Sequence, residues 1–292
     1  MKYSIENEFL RAEISSLGAE LTSLVLKEDG CEYIWQGDEK YWTGHAPVMF
    51  PICGRLSQAK YTYRGKQYEL GGHGFARHSE FELSACSSDK ITLTLKSNES
   101  TRAVFPLEFI FSITFSLKGK ALDISHRVIN TGDDELIFSV GGHPAFNVPL
   151  SKGDSFEDYY VEFDKKCEAI RLSFSEACLC DKKDPVFAQG GTKRIDLKHD
   201  LFDDDAIFLY NTSKKITLAS EKSTKSVCVS FDKFKYLGLW HKPKTDAPYL
   251  CIEPWCGIPD DDGPIGDLEA KRDMIHLPVG YSFSNAYKIE IK

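Results

Sequence analysis

The sequence has no run of about 18 apolar residues, which is the length that a membrane-spanning helix needs. Its first eight residues are polar and acidic, and they lack the apolar segment of a signal peptide. Basic residues are in the minority, with 36 Lys and Arg against 44 Asp and Glu, so the net charge is −8. A mildly acidic surface repels phosphate backbones. These absences predict a cytoplasmic protein that binds neither membranes nor nucleic acid.

Sequence motifs for cofactors and metals are also missing. There is no G-x-G-x-x-G or Walker segment for a nucleotide, and no G-x-S-x-G turn for a serine nucleophile. Cys178 and Cys180 are one residue apart, and no second pair completes a zinc site. Residues 258–269 resemble part of a calcium loop, but Ile258 occupies the first ligand position and two prolines interrupt the turn. We therefore expect no cofactor and no metal. The nine cysteines are irregularly spaced, which is typical of a reduced chain.

The chain does contain a strong period-two alternation of apolar and polar residues, which predicts β-strands. The alternation is clearest in residues 109–117 and 121–128, which we predict to form a hairpin. Shorter hairpins are predicted over residues 61–68 and 21–35. No long helical periodicity is present, and the 12% aromatic content favours strands. The pattern predicts an all-β protein, either a large antiparallel sandwich or a barrel.

Length alone leaves one or two domains open, because about 150 residues per domain is typical and single all-β domains reach about 250. No linker or fixed-period repeat divides the 292 residues. Two irregular segments, 151–158 and 176–184, are predicted as long loops and not as a boundary. We expect a single domain over residues 1–292.

Two histidines lie where neighbouring glycines remove side-chain cover and let a ligand approach closely. Three glycines surround His73, and Arg77 follows four residues later. Two glycines precede His143, and Pro144 follows it. Histidines in loops are common acid–base groups. The alternative is that each histidine only closes a turn, with the ring of His143 held by a backbone carbonyl.

Glu253 is predicted to end an apolar strand, and Pro254 and Trp255 follow it. Partial desolvation at such a position would raise the pKa of the carboxyl group, which suits a general base. The alternative is a strand-terminal Glu in solvent. Trp255 and, upstream, Trp240 could stack on a sugar ring.

Two further charged residues are candidates for ligand contacts. Arg55 follows Gly54 among apolar residues, and it could close a strand end with a salt bridge or grip hydroxyls or an anion. Asp205 ends a run of three Asp residues that leads directly into an apolar strand. Acidic runs are usually solvated, but Asp205 is the member closest to the strand, and we expect it to face a pocket.

Five of these segments, in this order along nearly the whole chain, resemble the aldose 1-epimerase (galactose mutarotase) family and in particular its LacX-like branch. They are residues 54–55 (GR), 72–77 (GHGFAR), 142–147 (GHPAFN), 205–208 (DAIF) and 253–255 (EPW). The resemblance implies the large antiparallel β-sandwich of galactose mutarotase-like proteins, with a sugar cleft across it. It also favours one domain, because the five segments run through most of the chain.

The resemblance further implies an isomerase that interconverts the α and β anomers of a free aldose without a cofactor. Glu253, with a raised pKa, would be the general base, and His143, with an ordinary pKa, the general acid. His73 would assist at the ring oxygen. Arg55, Asp205 and Arg77 would hold the sugar. The partner would be a small monosaccharide, and a monomer and a homodimer both remain open.

Alternatives within and outside the family also remain. The segment at 72–77 is similar to one in hexose-6-phosphate epimerases, which would make Arg55 and Arg77 anion contacts. Better known mutarotases follow the catalytic His with a Ser/Thr/Ala–Tyr–Phe pattern, whereas residues 144–146 here are PAF, so the sugar contacts differ. A sugar-binding or sensing protein without catalysis would use the same fold. A polysaccharide lyase or hydrolase fits less well, because hydrolysis would need two carboxylates on opposite sides of the scissile bond, and Glu253 and Asp205 are the only candidates.

Overall fold

The computed structural model describes residues 1–292 and consists mainly of antiparallel β-strands, so the predicted all-β fold is confirmed. In chain order the strands are β1 (Lys2–Glu6), β2 (Leu10–Ser15), β3 (Glu20–Leu26), β4 (Cys31–Glu32), β5 (Val48–Met49), β6 (Lys60–Tyr63), β7 (Lys66–Glu69), β8 (Glu82–Cys86), β9 (Lys90–Lys96), β10 (Phe109–Lys118), β11 (Ala121–Asn130), β12 (Leu136–Phe138), β13 (Gly141–Gly142), β14 (Ala145–Asn147), β15 (Tyr159–Cys167), β16 (Ile170–Leu172), β17 (Thr192–Asp196), β18 (Ile207–Tyr210), β19 (Lys215–Ser220), β20 (Val227–Ser230), β21 (Tyr236–Trp240), β22 (Tyr249–Trp255), β23 (Ile275–Leu277) and β24 (Ser282–Ile291). Helical structure is limited to α1 (Glu99–Val104) and the 3₁₀ helices Ser57–Ala59, Ala76–His78, Phe156–Asp158, His199–Phe202 and Leu268–Ala270.

Two large sheets form the body of the protein. The nine-stranded sheet has the order β17-β15-β19-β20-β24-β11-β10-β9-β8, so β24, which follows every other strand in the chain, lies at its centre. The seven-stranded sheet has the order β16-β18-β21-β22-β13-β5, and β14 also pairs with β22. Strands β1–β4 form a separate sheet, and β12–β23 and β6–β7 form two-stranded pairs. The sheet order shows that both large sheets are assembled from distant parts of the chain.

The hairpin predicted over residues 109–128 is confirmed as β10 and β11, which pair from Phe109 with Asn130 to Lys118 with Ala121. Alternate side chains of β10 are buried, and the others, mainly Ser and Thr, are partly exposed. Full burial of a large apolar side chain contributes about 1.5–3 kcal/mol, so this alternation fixes which face of the sheet packs inward.

The two shorter predicted hairpins are also present. Residues 61–68 lie in β6 and β7, with the turn at Arg64-Gly65, where both residues have positive φ as a tight two-residue turn requires. The hairpin around Asp29-Gly30 is shorter than predicted, because β3 and β4 pair through only two residue pairs. The chain then leaves that sheet, and Trp35 N donates to the carbonyl of Ala145 beside the seven-stranded sheet.

The main hydrophobic core lies between the two large sheets. It includes Phe111 and Ile113 of the nine-stranded sheet and Leu250 and Ile252 of the seven-stranded sheet, in a cluster of 65 buried residues. Because side chains alternate along a strand, the other residues of β22 point to the opposite face of the seven-stranded sheet. That face carries the functional candidates.

The predicted irregular segments contain little regular structure. Residues 151–158 include one short 3₁₀ helix, and residues 176–184 contain neither a strand nor a helix. No helix of the protein is both long enough and apolar enough to cross a membrane. The single domain over residues 1–292 and the cytoplasmic location stay predictions.

Candidate active site

A cleft of about 240 Å³ opens on the face of the seven-stranded sheet that points away from the main core. The structure brings all eight residues singled out from the sequence to its walls: Arg55, His73, Arg77, His143, Asp205, Trp240, Glu253 and Trp255. A larger depression of about 690 Å³ lies elsewhere and is lined by polar and charged residues of β15, β19 and their neighbouring loops. We place the candidate site in the smaller cleft, because only there do buried ionisable groups face apolar and aromatic walls.

Glu253 lies within β22, opposite Gly238 of β21, and is only 1% exposed. The strand continues to Trp255, so the expectation that Glu253 ends the strand is wrong, and so is the alternative of a Glu in solvent. A Cβ at Gly238 would lie 2.8 Å from the ring of Phe208 and 3.2 Å from the Cβ of Glu253. Glycine at position 238 therefore makes room for the side chains of Phe208 and Glu253.

The two oxygens of the Glu253 carboxylate have different surroundings. Oε2 accepts a hydrogen bond from Trp255 Nε1 at 3.1 Å and lies 3.3 Å from His143 Nε2. Oε1 makes no hydrogen bond within the protein and is free to face a ligand. Burial raises the pKa of Glu253 well above its ordinary value, against a smaller lowering by the Trp255 hydrogen bond.

His143 lies between β13 and β14, and its backbone N–H donates to the carbonyl of Pro47 at 3.1 Å. Its ring lies 5.0 Å from the ring of Trp42 at an interplanar angle of 31°, and 5.7 Å edge-on from Trp240. This enclosure removes water from the imidazole. Burial lowers the pKa of His143 to about 3, and the charge of Arg77 adds to the effect.

An ordinary pKa for His143 was the expectation from the sequence, and it is wrong because aromatic neighbours desolvate the ring. Nδ1 of His143 is buried and has no hydrogen-bond partner. The alternative in which a backbone carbonyl holds this ring is therefore not realised.

His73 lies in a loop with φ of 63°, held by a reciprocal pair of contacts with Gly54. The His73 backbone N–H donates to the Gly54 carbonyl at 2.8 Å, and the Gly54 N–H donates to His73 Nδ1 at 3.2 Å. Because Nδ1 accepts, the neutral ring carries its proton on Nε2. Burial lowers the pKa of His73 well below its ordinary value, with further lowering by His143, Arg77 and Arg55. His73 is thus a neutral hydrogen-bond donor.

Both cleft arginines lack a carboxylate partner. The ion-paired arginines of the protein are Arg64, Arg102, Arg194 and Arg272. Arg55 is exposed, and Arg77 is half-buried with its Nε donating to His78 Nε2 at 3.1 Å. Burial lowers the pKa of Arg77, against a smaller raising by Glu20. The salt bridge considered for Arg55 is absent, which leaves its guanidinium available to a ligand.

Asp205 and Trp240 form another part of the cleft wall. Asp205 has φ of 78°, and its Oδ1 accepts a hydrogen bond from Trp240 Nε1 at 2.8 Å. Its Oδ2 lies 3.6 Å from the Sγ of Cys178. The indole of Trp240 therefore fixes one oxygen of the Asp205 carboxylate, and the other oxygen has only a weak contact with the Cys178 thiol.

Several residues that line the cleft were not predicted from the sequence. Trp42 packs on His143 and follows Tyr41 in a segment without strand alternation. Cys178 lines the cleft, although its spacing to Cys180 was considered only for zinc. Ser175 also lines it, and its Oγ is buried without a partner. An aromatic pair outside any strand pattern is the one local signal that could have indicated Trp42.

One group of side chains has the donor types of a metal site. Ligand atoms of His143, Cys251 and Glu253 all lie within 4.8 Å of one another. Cys251 and Glu253 are two residues apart on β22 and thus share a face, but His143 is far away in the sequence. No spacing motif could have predicted this cluster.

Comparisons with known proteins agree with the fold. The model of the aldose 1-epimerase family matches residues 1–261. The plasmid-encoded protein LacX of Lactococcus lactis subsp. lactis is 36% identical over 267 residues, which is 88% of each chain. The crystal structure of a galactose mutarotase related enzyme from Lactobacillus acidophilus has a TM-score of 0.94 at 36% identity, covering 100% of this chain and 97% of that one. A galactose mutarotase-like protein from Lactobacillus casei ATCC 334 has a TM-score of 0.95 at 33% identity, with 100% of both chains covered.

Proposed function

The chain belongs to the aldose 1-epimerase family, and we propose that it is a mutarotase that interconverts the α and β anomers of a free aldose without a cofactor. The observation that carries this proposal is the contact of 3.3 Å between Glu253 Oε2 and His143 Nε2 inside the cleft. Anomer exchange requires one group that takes a proton and another that gives one, and this pair supplies both.

The reaction proceeds by opening and closing of the sugar ring. The Glu253 carboxylate removes the proton of the anomeric hydroxyl while protonated His143 gives its proton to the ring oxygen. The bond between the anomeric carbon and the ring oxygen breaks, and an aldehyde forms. Rotation about the C1–C2 bond presents the other carbonyl face, and the ring closes with the two roles reversed.

The pair carries one proton that it can hold in two ways. Burial favours the uncharged form, in which Glu253 is protonated and His143 is neutral, because it raises one pKa and lowers the other. Transfer of that proton across the contact gives the ionised form that starts the reaction, with no change in net charge. Because the two groups interact directly, the apparent pKa values belong to the pair.

The other cleft residues bind and orient the sugar in this proposal. His73 donates from Nε2 to the ring oxygen, and Asp205 and Arg55 hold hydroxyl groups. Trp240 and Trp255 provide flat apolar surfaces for the faces of the ring. Positioning of this kind lowers the barrier by holding the reacting atoms close to the acid and the base.

Polarimetry tests the proposal directly. The optical rotation of freshly dissolved α-glucose or α-galactose should relax faster with the protein than without it, and Glu253→Gln should remove most of the acceleration. Saturable sugar binding without any acceleration would instead indicate a binding or sensing protein. Relaxation at the spontaneous rate on every aldose and aldose phosphate would refute the enzymatic function.

A hexose 6-phosphate is a second candidate substrate, favoured by the two cleft arginines that lack carboxylate partners. Guanidinium groups bind phosphate through paired hydrogen bonds. In this case kcat/KM for glucose 6-phosphate should exceed that for glucose, and Arg55→Ala or Arg77→Ala should remove the difference. Equal kcat/KM values for the two sugars would exclude this candidate.

A further inference from the structure

Cys251 is a buried nucleophilic group beside the acid–base pair, and the proposed reaction does not use it. It is 0% exposed, and its Sγ makes no hydrogen bond. It lies on β22 on the same face as Glu253, and Trp240 is its partner in the register with β21. The thiol therefore lies within 4.8 Å of the reacting groups, packed in a small apolar cluster and without a polar contact.

The separations between the three donors match what a tetrahedral metal ion needs. With Zn–N and Zn–O bonds of about 2.0–2.1 Å, two such ligands lie about 3.4 Å apart. His143 Nε2 and Glu253 Oε2 are already 3.3 Å apart. A Zn–S bond of about 2.3 Å places the sulfur about 3.6 Å from the other donors. Since all three donor atoms lie within 4.8 Å of one another, the thiol is at most about 1.2 Å too far away for this geometry.

We propose that a thiophilic divalent cation, Zn²⁺ or Cd²⁺, binds to His143 Nε2, Cys251 Sγ and the Glu253 carboxylate and thereby inhibits the protein. One thiolate, one imidazole and one carboxylate suit zinc, whereas Mg²⁺ and Ca²⁺ prefer oxygen ligands alone. Binding releases the thiol proton and the proton shared by His143 and Glu253 to solvent. His143 and Glu253 both line the cleft, and the ion reaches the thiol through it.

The same geometry indicates an inhibitory site and not a resident cofactor. Histidines in dedicated metal sites almost always donate their second ring N–H to an acceptor. Nδ1 of His143 has no partner. Trp255 Nε1 supplies one outer contact through Glu253 Oε2, so the carboxylate is supported and the imidazole is not. The ion occupies the lone pairs that proton transfer uses, which is why its binding and sugar turnover exclude each other.

Metal binding is measured by competition with a chromophoric chelator, using Zn²⁺ and Cd²⁺ and the full chain freed of metals. One equivalent should bind to the wild type with Cd–thiolate absorption in the ultraviolet. Cys251→Ala should bind more than about 100-fold more weakly and lose that absorption, because removal of an outer support alone already costs about 10–100-fold. Cys228→Ala is the matched control, since Cys228 is also buried but lies on β20 of the other large sheet. It should bind as the wild type does.

Unchanged binding by Cys251→Ala would overturn the proposal, and so would loss of binding in Cys178→Ala, which removes the thiol at the other wall. If Cys251→Ala does not fold, Cys251→Ser gives the same comparison with a side chain of nearly the same shape. Inhibition rests on the proposed function, whereas binding does not. A protein that binds Zn²⁺ but never accelerates anomer exchange would refute the function alone, and an active protein indifferent to Zn²⁺ would refute the site alone.

Discussion

Replacement of Glu253 by Gln separates the catalytic use of this carboxylate from its effect on stability. Gln has the same shape and keeps an oxygen that accepts from Trp255 Nε1, so the cleft should stay intact. It cannot take the proton of the anomeric hydroxyl. A positioned general base contributes about 10²–10⁴-fold, so kcat/KM should fall by that factor. This corresponds to about 2.7–5.4 kcal/mol of lost transition-state stabilisation.

The same substitution should increase the stability of the fold at neutral pH. The pKa of Glu253 is raised in the folded state above its ordinary value of 4.5 because the carboxyl group is buried. Unfolding therefore releases a proton whenever the pH lies between these two pKa values, and wild-type stability falls as the pH rises through that window. The fall is about 1.4 kcal/mol per pH unit, and the Glu253→Gln substitution abolishes it. Below pH 4.5 the two proteins should differ little.

The assays are polarimetry for the rate and urea unfolding at several pH values for stability, both in buffer that contains a chelator. The matched control is Glu13→Gln, the same change on strand β2, where the side chain is partly exposed and forms no ion pair. It should alter neither quantity. A stability difference between wild type and Glu253→Gln that stays constant from pH 4 to pH 8 would refute the reasoning about the buried carboxyl group. Full activity of Glu253→Gln would refute its role as the base.

Three further predictions concern the remaining walls of the cleft. Because burial lowers the pKa of His143 to about 3, kcat/KM should not fall between pH 7 and pH 5, and an inflection there in the pH–rate profile would contradict this. Trp240→Phe removes the hydrogen bond of 2.8 Å that holds Asp205 in place, and ordering that side chain on binding then costs about 0.5–1.5 kcal/mol, so KM should rise about 2–10-fold with little change in kcat. An unchanged KM in initial-rate measurements would refute a binding role for that pair. Gly238→Ala should lower kcat and the melting temperature together, since its Cβ would lie 3.2 Å from the Cβ of Glu253; calorimetry and polarimetry of the same sample check this.

The nine-stranded sheet was largely predictable because its strands are long and half-buried. In β10 and β11 one face meets the core and the other meets solvent, which imposes a visible alternation on the sequence. The seven-stranded sheet was less predictable. Strands β5 and β13 contain only two residues each, and β22 is buried on both faces, so no alternation marks where it ends. For this reason the sequence predicted that the strand ends at Glu253, whereas β22 continues to Trp255.

The sequence predicted which residues line the candidate site better than it predicted their pKa values. Residues next to glycines or at the ends of apolar runs were identified from local pattern, and family resemblance gave them an order and a role. The low pKa of His143 depends on Trp42 and Trp240, which approach it only in the folded chain. The cluster with Cys251 depends likewise on long-range pairing. Local sequence does not encode such distances.

The central position of β24 has a consequence for biosynthesis. Its neighbours in the sheet, β20 and β11, are both made earlier, and each keeps one edge unpaired until residues 282–291 have emerged. Unpaired edges are templates for aggregation, and pairings between distant segments form slowly. The nascent chain therefore carries two half-sheets with unpaired edges, open to pairing with other chains, at a stage when its cleft residues have already been synthesised.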